Sequence, residues 1–515
     1  MILKQHSRMT YFLKSFFCTL ALFACFNNLY AQSYTSYFTG DPADVVTTTQ
    51  KGTVLMGGAT ENDNAMRWFL QHSGGGDIVV LRASGSNGYN DYLYTTLGIP
   101  VNSVESIVCN NASASYDPYV IQQVANAEAL WFAGGNQWDY VSYWNNTPLD
   151  SVFNYLINVK HIPVGGTSAG MAIMGHIVFT AQNGSVTSGT ALNDPYNSSV
   201  TLLKDDLINN PWLNNVVTDT HYDNPDRRGR HITFLARIFQ DYGVPAFGIA
   251  CEEYTAVCID GNGSASVYGN YPSANDYAYF LQTNCVQPTT PETCVLGEPL
   301  SWIRNQQAVK VYKVAGTQTG ANTFQLSDWK TGSGGVWQNW YVTDGTLNVT
   351  DNAAAPICTV SNVNAGNVNI CSPSASNIVL VADTTGANYQ WQLNTGSGFN
   401  NISNNSNYSG VTTNTLSLNN ISSSWYGYKY RCVVSGINSS EATLIFSNTW
   451  TGLVNTAWEN PGNWQCNTLP DAYTDVYLNN GSNVILNSNA ACRSLNLKPG
   501  ANFTVHTGFI LTTIH

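Results

Sequence analysis

The sequence predicts an α/β domain built on a parallel sheet covered on both faces, followed by all-β modules. Three observations carry this prediction. Continuous apolar runs of strand length alternate with helix-patterned runs between Thr53 and Cys251, as expected of strands buried on both faces. Several runs end in paired glycines or polar clusters, where open α/β sheets place their ligands. Beyond Asn348 the helical pattern stops, and turn residues recur at short intervals.

The elements follow in order. Val54-Leu55-Met56 is an apolar strand ending in Gly57-Gly58. Residues 64–72 read as a helix with Ala65, Trp68, Phe69 and His72 on one face. Residues 78–81 and 106–109 are buried strands, and 121–127 is helical. Leu130-Trp131-Phe132-Ala133 is a strand ending in Gly134-Gly135. Residues 149–159 form a helix leading into the short strand 162–164, and 169–175 is a helix-compatible run. Residues 216–221 and 247–251 are further strands, with a helix over 230–239 between them. Short strands at 256–259, 264–268 and 309–314 finish the domain near Leu347.

A chain of 515 residues is too long for one core. Charged residues make up only 10%, so Asn, Ser, Thr, Gly and Tyr must supply the polar surface, which suits a β-rich extracellular protein. The net charge of −12 argues against nucleic acid and anionic membranes as partners. Residues 1–31 resemble a secretory signal: Lys4, Arg8 and Lys14 precede a short apolar core, and Ala31-Gln32 is a cleavage point. That apolar run is too short for a permanent anchor, and no later membrane span is expected. The expected location is therefore secreted, periplasmic or cell-surface, where disulfides form. Cys285 and Cys294 bracket a Pro/Thr-rich loop and are the expected local bridge. Cys109, Cys251 and Cys258 lie in apolar runs and read as buried thiols. No Cys or His spacing forms a zinc site, and no metal or organic cofactor is expected.

The expected organisation is a signal over 1–31, a catalytic domain over 32–347 and a linker over 348–356. A β-sandwich over 357–447 and a small β module over 448–515 complete it. Tyr389-Gln390-Trp391-Gln392 followed by Tyr428-Lys429-Tyr430-Arg431-Cys432 resembles an immunoglobulin-like sandwich, with a Trp on one strand and a Tyr two residues before a Cys. That resemblance suggests pairing Cys371 with Cys432.

Chemistry concentrates around Gly166-Thr167-Ser168-Ala169-Gly170. This is the sequence form of a nucleophile elbow, in which small residues let a strained strand-to-helix turn expose a serine hydroxyl. A glycine-rich turn with a capping serine has the same form. A serine nucleophile needs a base and usually a group orienting that base. His221, ending a buried strand, is the best base. His161 and His231 sit at helix edges, and His176 lies too far along the helix that follows Ser168.

Four motifs then stand in order: Phe132-Ala133-Gly134-Gly135-Asn136-Gln137; Gly165 to Gly170; Asp219-Thr220-His221-Tyr222 with Arg227, Gly229 and Arg230; and Gly248 to Ala256 containing Glu252-Glu253. In order and approximate spacing they resemble the cyanophycinase family, which includes the aspartyl dipeptidases. The resemblance implies a class I glutamine-amidotransferase-like three-layer α/β sandwich and serine peptidase activity on an Asp-containing peptide or β-aspartyl isopeptide bond. It implies Ser168 as nucleophile, His221 as base, and Gly135 and Ala169 as oxyanion donors. It implies Gln137, Asp219, Arg227 and Arg230 as the residues that read an aspartyl group. Two positions depart from the family: Pro225 stands where an arginine is frequent, and His231 where leucine is usual. Glu253 matches an acidic family position; a triad role and a buried salt bridge to Arg227 or Arg230 are both open readings. A competing reading is a catalytically weak protein that contacts a cell surface or glycan through its C-terminal modules.

Overall fold

The protein is described by a computed structural model covering residues 32–204, 207–284, 289–356, 367–371, 374–382, 388–434 and 437–513. The signal reading of 1–31 and residue Cys285 lie outside the described residues.

The first part of the chain contains strands β1 (Tyr34–Gly40), β2 (Gly52–Met56), β3 (Asp77–Arg82), β4 (Ser103–Cys109), β5 (Ala129–Phe132), β6 (Pro163–Thr167), β7 (Ile177–Phe179), β8 (Leu202–Lys204) and β9 (Val216–Asp219). It continues with β10 (Phe247–Cys251), β11 (Ala256–Asp260), β12 (Ser264–Tyr268), β13 (Tyr277–Thr283), β14 (Val309–Ala315), β15 (Asn322–Gln325), β16 (Gly332–Ser333), β17 (Gly335–Thr343) and β18 (Thr346–Thr350). The helices are α1 (Asp63–His72), α2 (Pro118–Asn126), α3 (Gln137–Trp144), α4 (Pro148–Tyr155), α5 (Ala169–Ala172), α6 (Ser188–Asn193) and α7 (Arg228–Tyr242). Their starts have local causes. Asn62, Asp117, Asn136 and Thr147 accept hydrogen bonds from first-turn amides of α1 to α4, and Pro118 and Pro148 preset the first turns of α2 and α4. Gly243, in the left-handed conformation, ends α7.

Instead of one parallel sheet, the strands form two mixed sheets. The first runs β1-β4-β3-β5-β6-β2-β11-β12-β15-β16, and its centre, from β4 to β2, is parallel. The second runs β18-β17-β14-β13-β10-β9-β7-β8 and is parallel only across β10, β9 and β7. The cause lies at β2. Its free edge is taken by antiparallel β11, with Ala256 opposite Met56, so β9 and β10 cannot extend the first sheet. Helix α1 packs Ala65, Met66, Phe69 and Leu70 on one face of the first sheet. The other face shares a core with α2, α4 and the second sheet, including Leu55, Phe132, Val124, Phe153, Ile249 and Phe280. Helix α7 covers the far face of the second sheet with Ile232, Leu235 and Ile238. The sheets meet where their parallel strands end: the His221 amide donates to the Gly57 carbonyl at 2.8 Å and the Tyr254 amide to the Gly58 carbonyl at 3.1 Å. Strand β18 extends through Thr350, so residues 348–350 are strand rather than linker.

The next unit packs the strands Tyr389–Asn394, Lys429–Val434 and Ala442–Thr449 against Ser374–Val381 and Thr415–Ser422. Trp391, Tyr430, Leu416, Leu418 and Phe446 fill its core. Cys371 bridges to Cys466 and not to Cys432, which is a buried free thiol lying directly opposite Trp391. The strand 442–449 puts Ser447 beside Asp475 in parallel, so the chain's path brings Cys466 within reach of Cys371. Cys294 is also a free, buried thiol, and so are Cys109, Cys251 and Cys258.

The last unit is a parallel coil. Asp475–Leu478, Asn483–Leu486 and Ala490–Cys492 make one turn; Ser494–Leu497, Asn502–Val505 and Leu511–Thr513 make the next, each strand pairing in parallel with its counterpart. Leu497 stacks on Leu478, and Phe503 and Val505 on Val484 and Leu486. Trp450, Trp458 and Trp464 close the other end. Among the described residues, no helix is long and apolar enough to cross a membrane, and no group of three His, Cys, Asp or Glu could hold a metal ion.

Candidate active site

Strand β6 runs Pro-Val-Gly-Gly-Thr, buried throughout, and turns at Ser168 into α5. The small residues are steric requirements. A side chain at Gly165 would strike the Trp131 ring at 2.6 Å and Val54 at 2.9 Å. One at Gly166 would strike the Gly170 backbone at 2.5 Å, and one at Gly170 would enter the Phe132 carbonyl. The turn is therefore clamped between β5 and its own helix. Ser168 takes φ 52° and ψ −118°, a conformation costing a non-glycine residue about 1–3 kcal/mol. Helix α5 ends at Ala172, short of the expected residue 175, so His176 lies beyond it.

The Ser168 Oγ lies 2.8 Å from the His221 Nε2, and the His221 Nδ1 lies 2.7 Å from the Glu253 Oε1. His221 and Glu253 reach this line by different routes. His221 follows the end of β9 with φ 45°, its amide held by Gly57. Its ring lies against Gly58, where a Cβ would sit 2.5 Å from Cε1 and Nε2; only glycine at φ 111° leaves the ring its place. Glu253 follows β10, and its amide donates to the Asp223 carboxylate at 3.0 Å. His221 and Glu253 remain partly open to solvent, with side chains 23% and 19% exposed. Glu253 is bonded to His221, and neither Arg227 nor Arg230 is its hydrogen-bond partner. The three competing histidines are engaged elsewhere: His161 with the Ile157 carbonyl, His176 with the Asn215 amide, and His231 with the Tyr222 hydroxyl and Val217 carbonyl.

The residues implied to read an aspartyl group divide. Asp219 and Arg230 are bonded to each other, Nε to Oδ2 at 2.9 Å and Nη2 to Oδ1 at 2.5 Å. Their side chains are 3% and 4% exposed. Arg230 Nη1 also donates to the Ser185 hydroxyl, and the guanidinium lies over the Phe179 and Phe234 rings. Burial alone would push the Asp219 carboxyl up, but the Arg230 guanidinium outweighs it and holds the acid below its ordinary value. The two residues implied to read substrate are thus each other's principal partners. Gln137 opens α3, and its amide donates to the Phe179 carbonyl across to β7. Arg227 is half-buried and spends one contact, Nη1 to the Thr220 carbonyl at 3.0 Å. Burial and the neighbouring Arg230 lower its pKa. Gly135 lies over the Tyr140 hydroxyl, which bonds the Ala133 and Gly134 carbonyls and fixes that turn beside Ser168. Gly57, Gly58 and Asp223 complete the site. In sequence the glycines read only as a strand end, and Asp223 as one polar residue in a polar loop.

Residues 449–515 match a family described as a domain of unknown function (DUF8693). No curated protein matches the chain. Among solved structures, the chain is similar to a peptidase from an acI-B1 Actinobacterium, at 11% identity over 54% of this chain and 98% of that one, with a TM-score of 0.34. It is also similar to a putative peptidase E protein from Listeria monocytogenes EGD-e, at 16% identity over 43% of this chain and all of that one, with a TM-score of 0.28. A tandem of titin Ig domains, A164-A165, aligns at 9% identity over 33% of this chain and 89% of that one, with a TM-score of 0.14.

Proposed function

We propose that this chain is a serine hydrolase of the peptidase type. The observation that carries the reading is the unbroken line Ser168 Oγ–His221 Nε2–Glu253 Oε1, with both links within hydrogen-bond length and the serine on a strained turn. His221 Nε2 takes the Ser168 proton as Oγ attacks the scissile carbonyl carbon. The oxyanion is received by the backbone amides of Ala169, at the head of α5, and Gly135. As the tetrahedral species collapses, His221 returns the proton to the leaving nitrogen and the acyl group stays on Ser168. Water then attacks the ester, with His221 accepting its proton, and the acid product departs. Glu253 holds the imidazole with Nε2 facing the serine and supports its charge when protonated.

The finer reading is a cyanophycinase-type peptidase acting on an Asp-containing peptide or β-aspartyl bond. It rests on Arg227, because Asp219 and Arg230 are committed to each other. The Cys371–Cys466 bridge supports export, since such bonds persist in oxidising compartments. A fluorophosphonate probe tests the chemistry. Labelling of the wild-type protein that disappears in Ser168→Ala supports it, and an unlabelled, folded wild-type protein overturns it. Digestion of dipeptide and β-aspartyl libraries by the labelled protein then tests the aspartyl preference.

A further inference from the structure

Ser168 stands at the end of β6, between β2 and β5 in the first sheet. Toward β2 lie Gly57 and Gly58, against which His221 is held. Toward β5 lie Gly134, Gly135 and Gln137, at the head of α3. The second sheet keeps the same order: β9 leads to His221, and β7 and β8 follow on the side away from β10. Since His221 gives its proton to the leaving nitrogen, the leaving half of a substrate lies toward β2 and the acyl half toward Gln137. On that acyl side a cavity of about 520 Å³ opens between α3 and the β7–β8 hairpin. Its walls begin one residue past the Gln137–Phe179 contact, with Trp138 on one and Thr180 on the other. Trp138, Val141, Val200, Leu202 and Leu203 make its apolar lining. No carboxylate lines it, and the lining cation is already bound. Arg237 gives Nε to the Asp241 carboxylate at 2.9 Å and Nη1 to the Pro195 carbonyl at 2.7 Å, with its guanidinium 3.7 Å from the Tyr196 ring centre. Thr180 and Thr201 bond each other at 2.7 Å. Asn145, on the same wall as Trp138, differs. Its Oδ1 is buried, and its carboxamide has no hydrogen-bond partner among the described residues. A buried polar group left without a partner is costly, so this one marks a place for a further polar group.

We propose that this cavity receives an uncharged, apolar side chain of a peptide substrate on the acyl side of the scissile bond. The Asn145 carboxamide pairs with the peptide group that carries that side chain. The proposal rests on the peptidase reading for the direction of the bound chain; the cavity's preference for a neutral apolar residue stands independently. A carboxamide and a peptide group each offer one N–H edge and one carbonyl oxygen, so the two satisfy each other. A charged side chain meets no free counter-charge here, because Arg237 is spent on Asp241, and it would give up its water uncompensated. A branched aliphatic side chain has no such cost and covers the Trp138 ring and the leucines beside it.

The test is ligand-observed NMR titration of the full chain carrying Ser168→Ala with N-acetyl-leucine N-methylamide, and with the glycine and glutamate analogues of that probe. The leucine probe is expected to bind at least about tenfold more tightly than either. Ser142 is exposed on α3 at the cavity rim, so Ser142→Trp fills the space without disturbing the core and should remove leucine binding. Asn145→Leu should weaken it several-fold. Absence of binding, equal binding of the three probes, or full affinity in Ser142→Trp overturns the site. Full affinity in Asn145→Leu overturns the pairing with a peptide group. Direction is read from the wild-type protein. Replacing glycine by leucine before the scissile bond should raise kcat/KM by about tenfold, and the same change after it should not; the opposite preference overturns the acyl-side placement. Labelling of Ser168 by fluorophosphonate separates the two readings. A labelled protein that does not bind the leucine probe loses the site and keeps the hydrolase; an unlabelled protein that binds it does the reverse.

Discussion

Arg230 and Asp219 form a closed two-point ion pair in the interior wall that carries His221. A buried pair is costly to break because removing one partner strands the other charge away from water. Asp219→Ala should therefore lower unfolding free energy by about 3–5 kcal/mol. Arg230→Lys should also destabilise, since an ammonium cannot reproduce the fork. Denaturant melts check this. Unchanged stability with a raised Michaelis constant would instead return both residues to substrate recognition.

Ser168 is held at positive φ by the packing of Gly166 and Gly170, so its strain belongs to the turn and not to the hydroxyl. Ser168→Ala should remove activity and fluorophosphonate labelling with little change in melting temperature. Ser168→Gly should remove activity and gain about 1 kcal/mol, because glycine adopts this backbone without penalty. A glycine variant less stable than the alanine variant would show that the turn is not strained.

Glu253→Gln keeps the shape of the His221 partner but removes its charge and can present an N–H to Nδ1. Turnover should fall by a factor on the order of 10³–10⁴ with little change in the melting curve. His221→Ala should cost about as much as Ser168→Ala, and the double variant no more than either. Turnover of one peptide substrate under single-turnover conditions compares all of these variants. A double variant far slower than both singles would separate the residues into independent roles.

His231 is fully buried between Tyr222 and Val217, and burial pushes its pKa down to about 4. The unfolded chain binds its proton near pH 6.5, the folded chain only near 4. Between those values the unfolded state holds more protons, so stability falls as pH drops from about 6.5 to about 4. The stability of wild type relative to His231→Leu should fall steadily as pH drops across that range, as melting curves of both will show. If the difference between them stays constant with pH, His231 is not kept neutral by the fold.

The Cys371–Cys466 bridge closes a loop with a sequence separation of 95 residues. Loop closure of that length contributes about 4–5 kcal/mol. Cys371→Ser should lower the melting temperature of the C-terminal units and leave Ser168 labelling unchanged. Equal melting in reducing and oxidising buffer would remove the bridge from the native protein.

Much of the first sheet was legible, because uninterrupted runs such as Val54-Leu55-Met56 and Leu130-Trp131-Phe132 can satisfy burial on both faces in few other ways. The positions of Ser168, His221 and Glu253 were legible as strand ends followed by polar residues. The division into two sheets was not, since it depends on β11 taking the edge of β2, a long-range pairing that leaves no local periodicity. Helix α3 went unread because Gln137–Trp144 mixes aromatic residues with Asp and Ser, and its start is set by Asn136 capping. Asp219 and Arg230 were assigned to substrate through the family resemblance; their pairing with each other across eleven residues of sequence is visible only in the tertiary structure. Cys371 found Cys466 rather than Cys432 because strand 442–449 changes neighbours along its length, an event written in tertiary pairing alone.

The coil formed by residues 475–513 has a metre. Asp475 lies opposite Ser494 and Asn483 opposite Asn502, nineteen residues on, whereas Ala490 lies opposite Leu511, twenty-one residues on, the two extra residues falling in the corner after Val505. Alternation along each strand then obliges every second residue to meet its counterpart above. Length in this unit is accordingly quantised. Removing or adding a whole turn preserves the stacking of Val476, Leu478, Val484 and Leu486, whereas a change of one residue within a strand turns its apolar side chains outward and leaves the corners in place. Drift in such a sequence should spare its meter while altering its letters, and insertions should gather at the corners between strands.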